Sequence, residues 1–417
     1  MVTIGPLNSP VNLVNIAQQA QQASSALVDM GPRRRADILS HLSLLIDKRK
    51  DDILEANTLD LEASREMAVP DLMLDWLRLT PERIQNLVSM LGGLADRPDP
   101  LQQFVEASYY TTEAKVYGQR IPLGVIALVY ESFPELGAIA AGLCLKAGNS
   151  LILKGGAEAS HSNQVITTII QEAVTAQEIS PDCIHLLPTD QNDITRELLT
   201  LNPHIKLLIP YGRPNLVQRV LKQATVPVMK TAIGNCYLYC SDDATVDTTV
   251  NMIVDSHKGE PDAINAIDKL LIHHACSFEK AKEIFQELGH HGYSIKGDEA
   301  LLKHFEHVEI AQESEWFQPL WNSTILCRRI GSIQEAVTWI NTYSSGHANC
   351  IATNSYQESR YFIDHITSAM VHVNVSPRFQ RYPKGGVISL GMSVADSFCG
   401  GPILASDLTV PQRIVYA

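Results

Sequence analysis

The side chains with the widest chemical reach in this 417-residue chain are eight cysteines, at 144, 183, 236, 240, 276, 327, 350 and 399. A thiolate can serve as nucleophile or metal ligand, but either role needs partners at the right spacing. No CxxC pair occurs. Cys236 and Cys240 bracket Tyr-Leu-Tyr in an expected strand, so both lie on one face. No two further zinc ligands at suitable spacing lie nearby. His273-His274-Ala-Cys276 follows the expected strand 269–272, where neighbouring side chains point to opposite faces. The thiols therefore read as reduced and mostly buried. Better placed are the charges closing apolar runs: Glu131 after PLGVIALVY (122–130), and Lys154 with Glu158 around Gly155-Gly156.

The elements that must position these charges are legible nearby. The run 122–130 reads as a buried parallel strand, broken by Glu131-Ser132-Phe133-Pro134. Small and apolar residues at helical spacing over 137–146 predict a buried helix, stopped by Gly148-Asn149. SLILK (150–154) is the second strand, completing a right-handed βαβ unit. Ligands in such sheets bind beyond the carboxyl ends of the strands.

Helices are predicted over 11–30 and 36–63, with Thr80 capping another that has Pro81 at its first position. Alternation over 109–119 predicts a half-exposed strand, and 409–416 has strand character. Strand and helix signals alternate from 163 to 239: strands at 183–187, 205–210, 227–230 and 235–239, with helices between. This pattern predicts a doubly wound sheet. After 245 come a helix to about 256, a loop over 257–266, a strand over 267–272, a mixed stretch over 278–317, a helix over 333–342 and a strand over 370–375.

The length calls for two or more domains. A formal charge of −13, with no basic cluster longer than Arg33-Arg34-Arg35, opposes nucleic-acid binding. No apolar run reaches membrane-spanning length and no signal pattern opens the chain, so a cytoplasmic location is expected.

IPLGVIALVYESFP followed by LCLKAGNSLILKGGAE resembles the γ-glutamyl phosphate reductases, a branch of the aldehyde dehydrogenase superfamily, and the resemblance runs nearly the whole chain. It implies an α/β, aldehyde-dehydrogenase-like fold with two doubly wound domains and a β-arm that pairs subunits as a homodimer. It divides the chain into 1–108 with 119–255 (helices and dinucleotide-binding domain), 256–380 (catalytic domain), 109–118 with 403–417 (arm) and 381–402 (return to the first domain). It implies NADPH-dependent reduction of γ-glutamyl phosphate to glutamate-5-semialdehyde in proline biosynthesis. Lys154, Gly155, Gly156, Glu158, Gly212 and Arg213 match cofactor positions. Glu131, Ser132, Phe133, Asn374, Ser376 and Arg378 match the substrate pocket.

The family's nucleophilic cysteine lies in a Pro-Ser-Thr-Cys-Asn loop. Here Pro261 and Asn265 fix the register, and Ile264 stands at the cysteine's position. A hydrocarbon side chain cannot form a thioester. Phe133 replaces a family arginine, and the stretches at 230–234, 211–213, 389–393 and 398–402 also depart from the pattern. Bulk at Arg213 and 230–232, where the family has glycine, predicts weak NADP binding. On these substitutions the expectation is a catalytically silent relative, acting through assembly or a protein partner and holding no metal. The alternatives are the reductase itself and a nucleotide or metabolite sensor.

Overall fold

The computed structural model describes residues 12–416 apart from 110–114, 190, 232, 260, 306–307, 321 and 385, with backbone alone at 105–109, 115 and 192. The chain forms two compact units: the described residues up to Met229 together with those from Leu404 onward, and Lys230–Ile403. Both are α/β.

The first unit opens with helices α1 (Leu13–Asp29), α2 (Gly31–Lys48), α3 (Lys50–Glu66), α4 (Asp71–Leu77) and α5 (Pro81–Asp96). The helix expected over 36–63 is in fact two, since α2 ends at Arg49 and α3 starts there. Two strands, β1 (Phe104–Tyr109) and β2 (Lys115–Pro122), precede the sheet. The sheet elements are β3 (Val125–Tyr130), α6 (Pro134–Lys146), β4 (Ser150–Lys154), α7 (Ser160–Thr175), β5 (Ile184–Leu186), α8 (Asn192–Thr200), β6 (Ile205–Tyr211) and α9 (Pro214–Gln223). They give four parallel strands in the order β5-β4-β3-β6. Every residue of β3, β4 and α6 is buried, as continuous apolar runs covered on both faces require. Gly148 takes φ +75° after α6, and Asn149 next to it ties the unit together. Its amide accepts from the Gly124 N–H and donates to the Leu408 carbonyl, each at 2.8 Å.

The second unit holds β7 (Cys236–Cys240), α10 (Val246–Ser256), β8 (Ile267–His273), α11 (Phe278–His290), β9 (Ser294–Gly297), α12 (Glu299–Leu302), β10 (Glu309–Ile310), β11 (Thr324–Ile330), α13 (Ile333–Tyr343), β12 (Ala348–Ala352), α14 (Tyr356–His365) and β13 (Met370–Val373). Seven parallel strands run β10-β9-β11-β8-β7-β12-β13. Leu270 and Ile272 join a core with α10 and α11, while Leu271 joins one with α13 and α14. A short pair, β14 (Met392–Ser393) with β15 (Gly401–Pro402), completes the unit. The tail strand β16 (Thr409–Tyr416) pairs with β2, whose other edge carries β1.

Several boundaries differ from the sequence reading. Residues 230–255 belong to the second unit, because β7 pairs with β8 and β12. Residues 381–402 also stay there, since Ser393 bridges Thr231 and Leu390 bonds Ile403. The arm begins at 104, not 109, and its expected middle (110–114) lies outside the described residues. The strand expected over 227–230 reduces to one bridge between Leu208 and Val228. His274 leaves the strand after β8 ends, so its ring lies 4.6 Å from that of His273 instead of on the opposite face. No helix among the described residues is long and apolar enough to cross a membrane.

Candidate active site

In the first unit the strand order reverses beside β3: the chain steps outward to β4 and β5, then returns to the other side of β3 with β6. Such a switch point leaves a crevice at the carboxyl ends of the two strands that part there. Glu131 follows β3 and Gly212-Arg213 follow β6, so the sequence-predicted residues meet at that crevice. Glu131 Oε1 accepts from the Arg213 backbone N–H at 2.7 Å and from Nε at 3.0 Å, and Oε2 accepts from the second guanidinium arm at 3.3 Å. This hydrogen bonding raises the Arg213 pKa above its ordinary value and holds the guanidinium against a carboxylate of its own chain. Gly212 (φ +149°) permits the approach, since a Cβ there would sit 2.5 Å from Glu131 Cγ.

Glu158 is folded back in the same way. Its Oε1 accepts from the Ser132 N–H at 2.7 Å and lies 3.2 Å from the Ser132 hydroxyl. A Cβ on Gly156 would stand 2.1 Å from that oxygen, so a larger residue at 156 would displace the Glu158 carboxylate from this position. Ser132 is buried and left-handed (φ +54°), a strained conformation for a residue with a side chain. Lys154 is mostly buried, with Nζ 3.5 Å from the Gly155 carbonyl. A Cβ on Gly155 would meet Asn163 Nδ2 at 2.2 Å. Phe133, expected at the substrate pocket, packs into the core. It is buried, stacked on Trp76 at 4.8 Å and edge-on to Tyr211 at 5.5 Å. An aromatic side chain there fills core, which explains why arginine is not needed at this position for folding.

In the second unit, Ile264 and Asn265 lie in the loop before β8. Ile264 is fully buried, and its carbonyl accepts from the Gly234 N–H at 2.7 Å and from His347 Nε2 at 3.1 Å. A carbonyl only accepts, so Nε2 carries the hydrogen and Nδ1 accepts from the Ser345 hydroxyl at 2.8 Å. Burial pushes His347 down to about 4 and keeps the ring neutral. Cys236 Sγ lies 3.4 Å from the same Nε2, and burial drives its thiol well above the ordinary range. Asn265 donates to the Pro377 carbonyl at 2.8 Å, and its buried Oδ1 has no hydrogen-bond partner among the described residues.

Sequence reasoning missed the group that pins this loop. Asp262, buried, is held by Arg381 through contacts of 2.9 and 3.4 Å, and Arg381 Nε also donates to the Leu390 carbonyl at 3.3 Å. The only sequence signal was a carboxylate set between Pro261 and the apolar pair Ala263-Ile264. The remaining pocket residues scatter. Asn374 (φ +55°) bonds both ways to the Thr353 backbone, at 2.9 and 2.7 Å. Ser376 Oγ accepts from the Arg378 N–H at 3.2 Å, and Arg378 pairs with Asp255 at 3.5 Å. Asn265 is joined to this segment through its bond to the Pro377 carbonyl.

The crevice of the first unit fits a dinucleotide in its donor set. Lys154 and Arg213 are cationic at strand ends, and Glu158 keeps Oε2 clear of the Ser132 contacts that occupy Oε1. Cations suit phosphates and a carboxylate oxygen suits a ribose hydroxyl.

Residues 6–275 match the model of the aldehyde dehydrogenase family. The chain is 40% identical over 410 residues to γ-glutamyl phosphate reductase 2 of Synechocystis, covering 98% of each chain. It is 32% identical to the γ-glutamyl phosphate reductase of Gloeobacter violaceus, covering 96% of this chain and 95% of that one. The crystal structure of γ-glutamyl phosphate reductase from Thermotoga maritima superimposes with a TM-score of 0.91 at 28% identity, covering 98% of this chain and 99% of that one. These relatives correct the expectation of a catalytically silent protein, because whole-length matches carry the reductase's name. The physical flaw in that expectation was to read the loss of a reaction from the side chain expected at one loop position. An acyl phosphate is already an activated acyl group with its own leaving group.

Proposed function

The chain belongs to the aldehyde dehydrogenase family and, within it, to the γ-glutamyl phosphate reductases, and from this we propose that it reduces γ-glutamyl phosphate to glutamate-5-semialdehyde at the expense of NADPH. The observation that carries the reading is the 40% identity sustained over 98% of both chains. Lys154, Glu158 and Arg213 would hold the dinucleotide, which when bound supplies hydride to the acyl carbon. Because Glu131 already neutralises Arg213, affinity for NADPH is expected to be modest. On the alignment through Pro261 and Asn265, Ile264 takes the place of the nucleophile, so no acyl-enzyme forms there. The mixed anhydride itself is then the group reduced, and phosphate leaves as the aldehyde forms. Within the second unit, the neutral His347 holds the backbone of the loop that carries Ile264.

The test is NADPH oxidation dependent on γ-glutamyl phosphate, run beside phosphate release in the absence of NADPH. Turnover with no phosphate burst is expected. Absence of turnover would overturn the reductase reading. A burst of one phosphate per site would overturn the direct route and require a thiol.

The arm supports assembly as a homodimer, since Phe104 on β1 and Tyr416 on β16 are 72% and 58% exposed on the outer strands of a three-stranded sheet. Open strand edges with exposed rings favour pairing with a second copy. A sedimentation mass of one chain at micromolar concentration would exclude it. A cytoplasmic location accords with this chemistry.

A further inference from the structure

Two thiols outside the candidate site are placed to react with each other. Cys240 ends β7, and Cys276 lies in the turn between β8 and α11. Their sulfurs converge on one acceptor, the Ser241 carbonyl, at 3.6 and 3.5 Å. Cys240 Sγ also lies 3.3 Å from the Thr249 hydroxyl. Both thiols are free, and the shared carbonyl is what brings the two sulfurs together. The two sequence motifs that failed as metal sites thus supply one sulfur each to the same contact.

We propose that Cys240 and Cys276 are a site of reversible oxidation, closing to a disulfide when the protein meets a hydroperoxide. The two sulfurs are not equivalent. The neighbouring Cys240 thiol and the nearby Lys280 and Arg329 bring Cys276 down to about 7, the reverse of Cys144, Cys183, Cys236, Cys327 and Cys350, which burial drives upward. Arg329 also donates to the Cys276 carbonyl at 2.7 Å, fixing the turn beside the sulfur. Ser277, next in the chain, caps α11, so the sulfur stands near a helix N-terminus. Cys240 has the opposite shift and remains a thiol.

This asymmetry sets the order of events. The Cys276 thiolate attacks one peroxide oxygen, an S–O bond forms, and the O–O bond breaks to release an alcohol or water. Cys240 then attacks the Cys276 sulfur, the S–S bond forms, and hydroxide leaves with the thiol's proton as water. Two electrons pass from the thiols to the peroxide, and a dithiol reductant reverses the change. The Cys276 side chain is 3% exposed, but His274, Ala275 and Ser277 around it are exposed, so a small oxidant needs only a local opening of the turn. Bulky reagents are held off by the same burial.

The experiment exposes the full chain to hydrogen peroxide, then denatures, alkylates and maps it. The expected result is loss of two of the eight thiols, with one cross-link joining the peptides that carry 240 and 276, restored by dithiothreitol. Cys240→Ser should leave a sulfenic acid at Cys276 that dimedone traps. Cys276→Ser should abolish the cross-link and slow oxidation of Cys240 by roughly tenfold or more, because the Cys240 thiol is held well above its ordinary range. Unchanged thiols, a cross-link through any other cysteine, or equal reactivity of Cys276→Ser would overturn the proposal. The wild-type map decides the matter even if a variant fails to fold.

Discussion

Each unit sets an ion pair beside its candidate site residues, and the two pairs are built for different tasks. Asp262 and Arg381 are 0% and 8% exposed in their side chains, whereas Glu131 and Arg213 are 13% and 44% exposed. A buried pair gains little net energy from being charged, but losing one partner strands the other away from water. An open pair is screened and can exchange its partner for an incoming anion. The first arrangement fixes a backbone, here the loop carrying Ile264. The second keeps an anion-binding group in balance with an internal competitor. The sequence pointed to Glu131 and passed over Asp262, and burial separates the clamp from the tuner.

The largest effect is therefore expected at the clamp. Asp262→Ala leaves Arg381 without its carboxylate and should lower stability by about 3–5 kcal/mol, read as a fall in the urea midpoint at unchanged slope. Pairing it with Arg381→Met should recover most of that loss. A single variant within about 0.5 kcal/mol of wild type would show that the pair is not a clamp, since losses that small are typical of open surface sites.

His347 offers a second way to break the buried side of the comparison. Its folded value of about 4 lies below the 6.5 of an unperturbed ring. Between those values the unfolded chain binds more protons than the folded one, so stability must rise with pH across that window. Acidification from 6.5 toward 4 should remove about 3 kcal/mol from this residue alone. The check is stability against pH for wild type and His347→Gln. An equal slope in both would assign the acid sensitivity elsewhere.

Gly234→Ala sharpens the picture at smaller scale. A Cβ there would meet the Ile264 carbonyl at 2.4 Å, and that neighbour is backbone, itself bonded to Gly234. A loss of about 1–3 kcal/mol is expected, with a fall in kcat if the loop shapes the reaction. Gly31→Ala is a useful contrast, because nothing stands within 4 Å of a Cβ there and only its φ of +80° opposes the change.

What was legible in the sequence follows from the same physics. Buried parallel strands are uninterrupted apolar runs, so β3, β4 and β6 and the charges at their ends could be read directly, and with them the crevice. β11 escaped because Arg328 and Arg329 interrupt its apolar run before Ile330. In the fold each guanidinium lies over a ring, 4.1 Å from Trp339 and 4.4 Å from Phe278. The pairing of Asp262 with Arg381 had no local signature, since more than a hundred residues separate its partners. Phe133 was misjudged for a related reason. Motif position says where a side chain starts, not whether Trp76 and Tyr211 enclose it.

The smallest effect, and the most specific, is expected at the tuner. Glu131→Gln preserves an oxygen for the Arg213 N–H but removes the charge that neutralises its guanidinium. With one partner nearly half exposed, folding stability should change by less than about 1 kcal/mol. What should move is the affinity for an anion. An electrostatic term of about 0.2–1 kcal/mol released to a phosphate corresponds to NADPH binding roughly 1.4- to 5-fold tighter. The gain should shrink as ionic strength rises from about 0.01 to 0.15 M, where screening shortens to about 8 Å. Titration calorimetry on both proteins, with NADPH and with NADH, reads it. Tighter binding at low salt that fades with added salt would establish Glu131 as the competitor of the cofactor's phosphates. Weaker binding by the variant would mean instead that the carboxylate itself touches the ligand, and the two ion pairs would then differ in strength but not in kind.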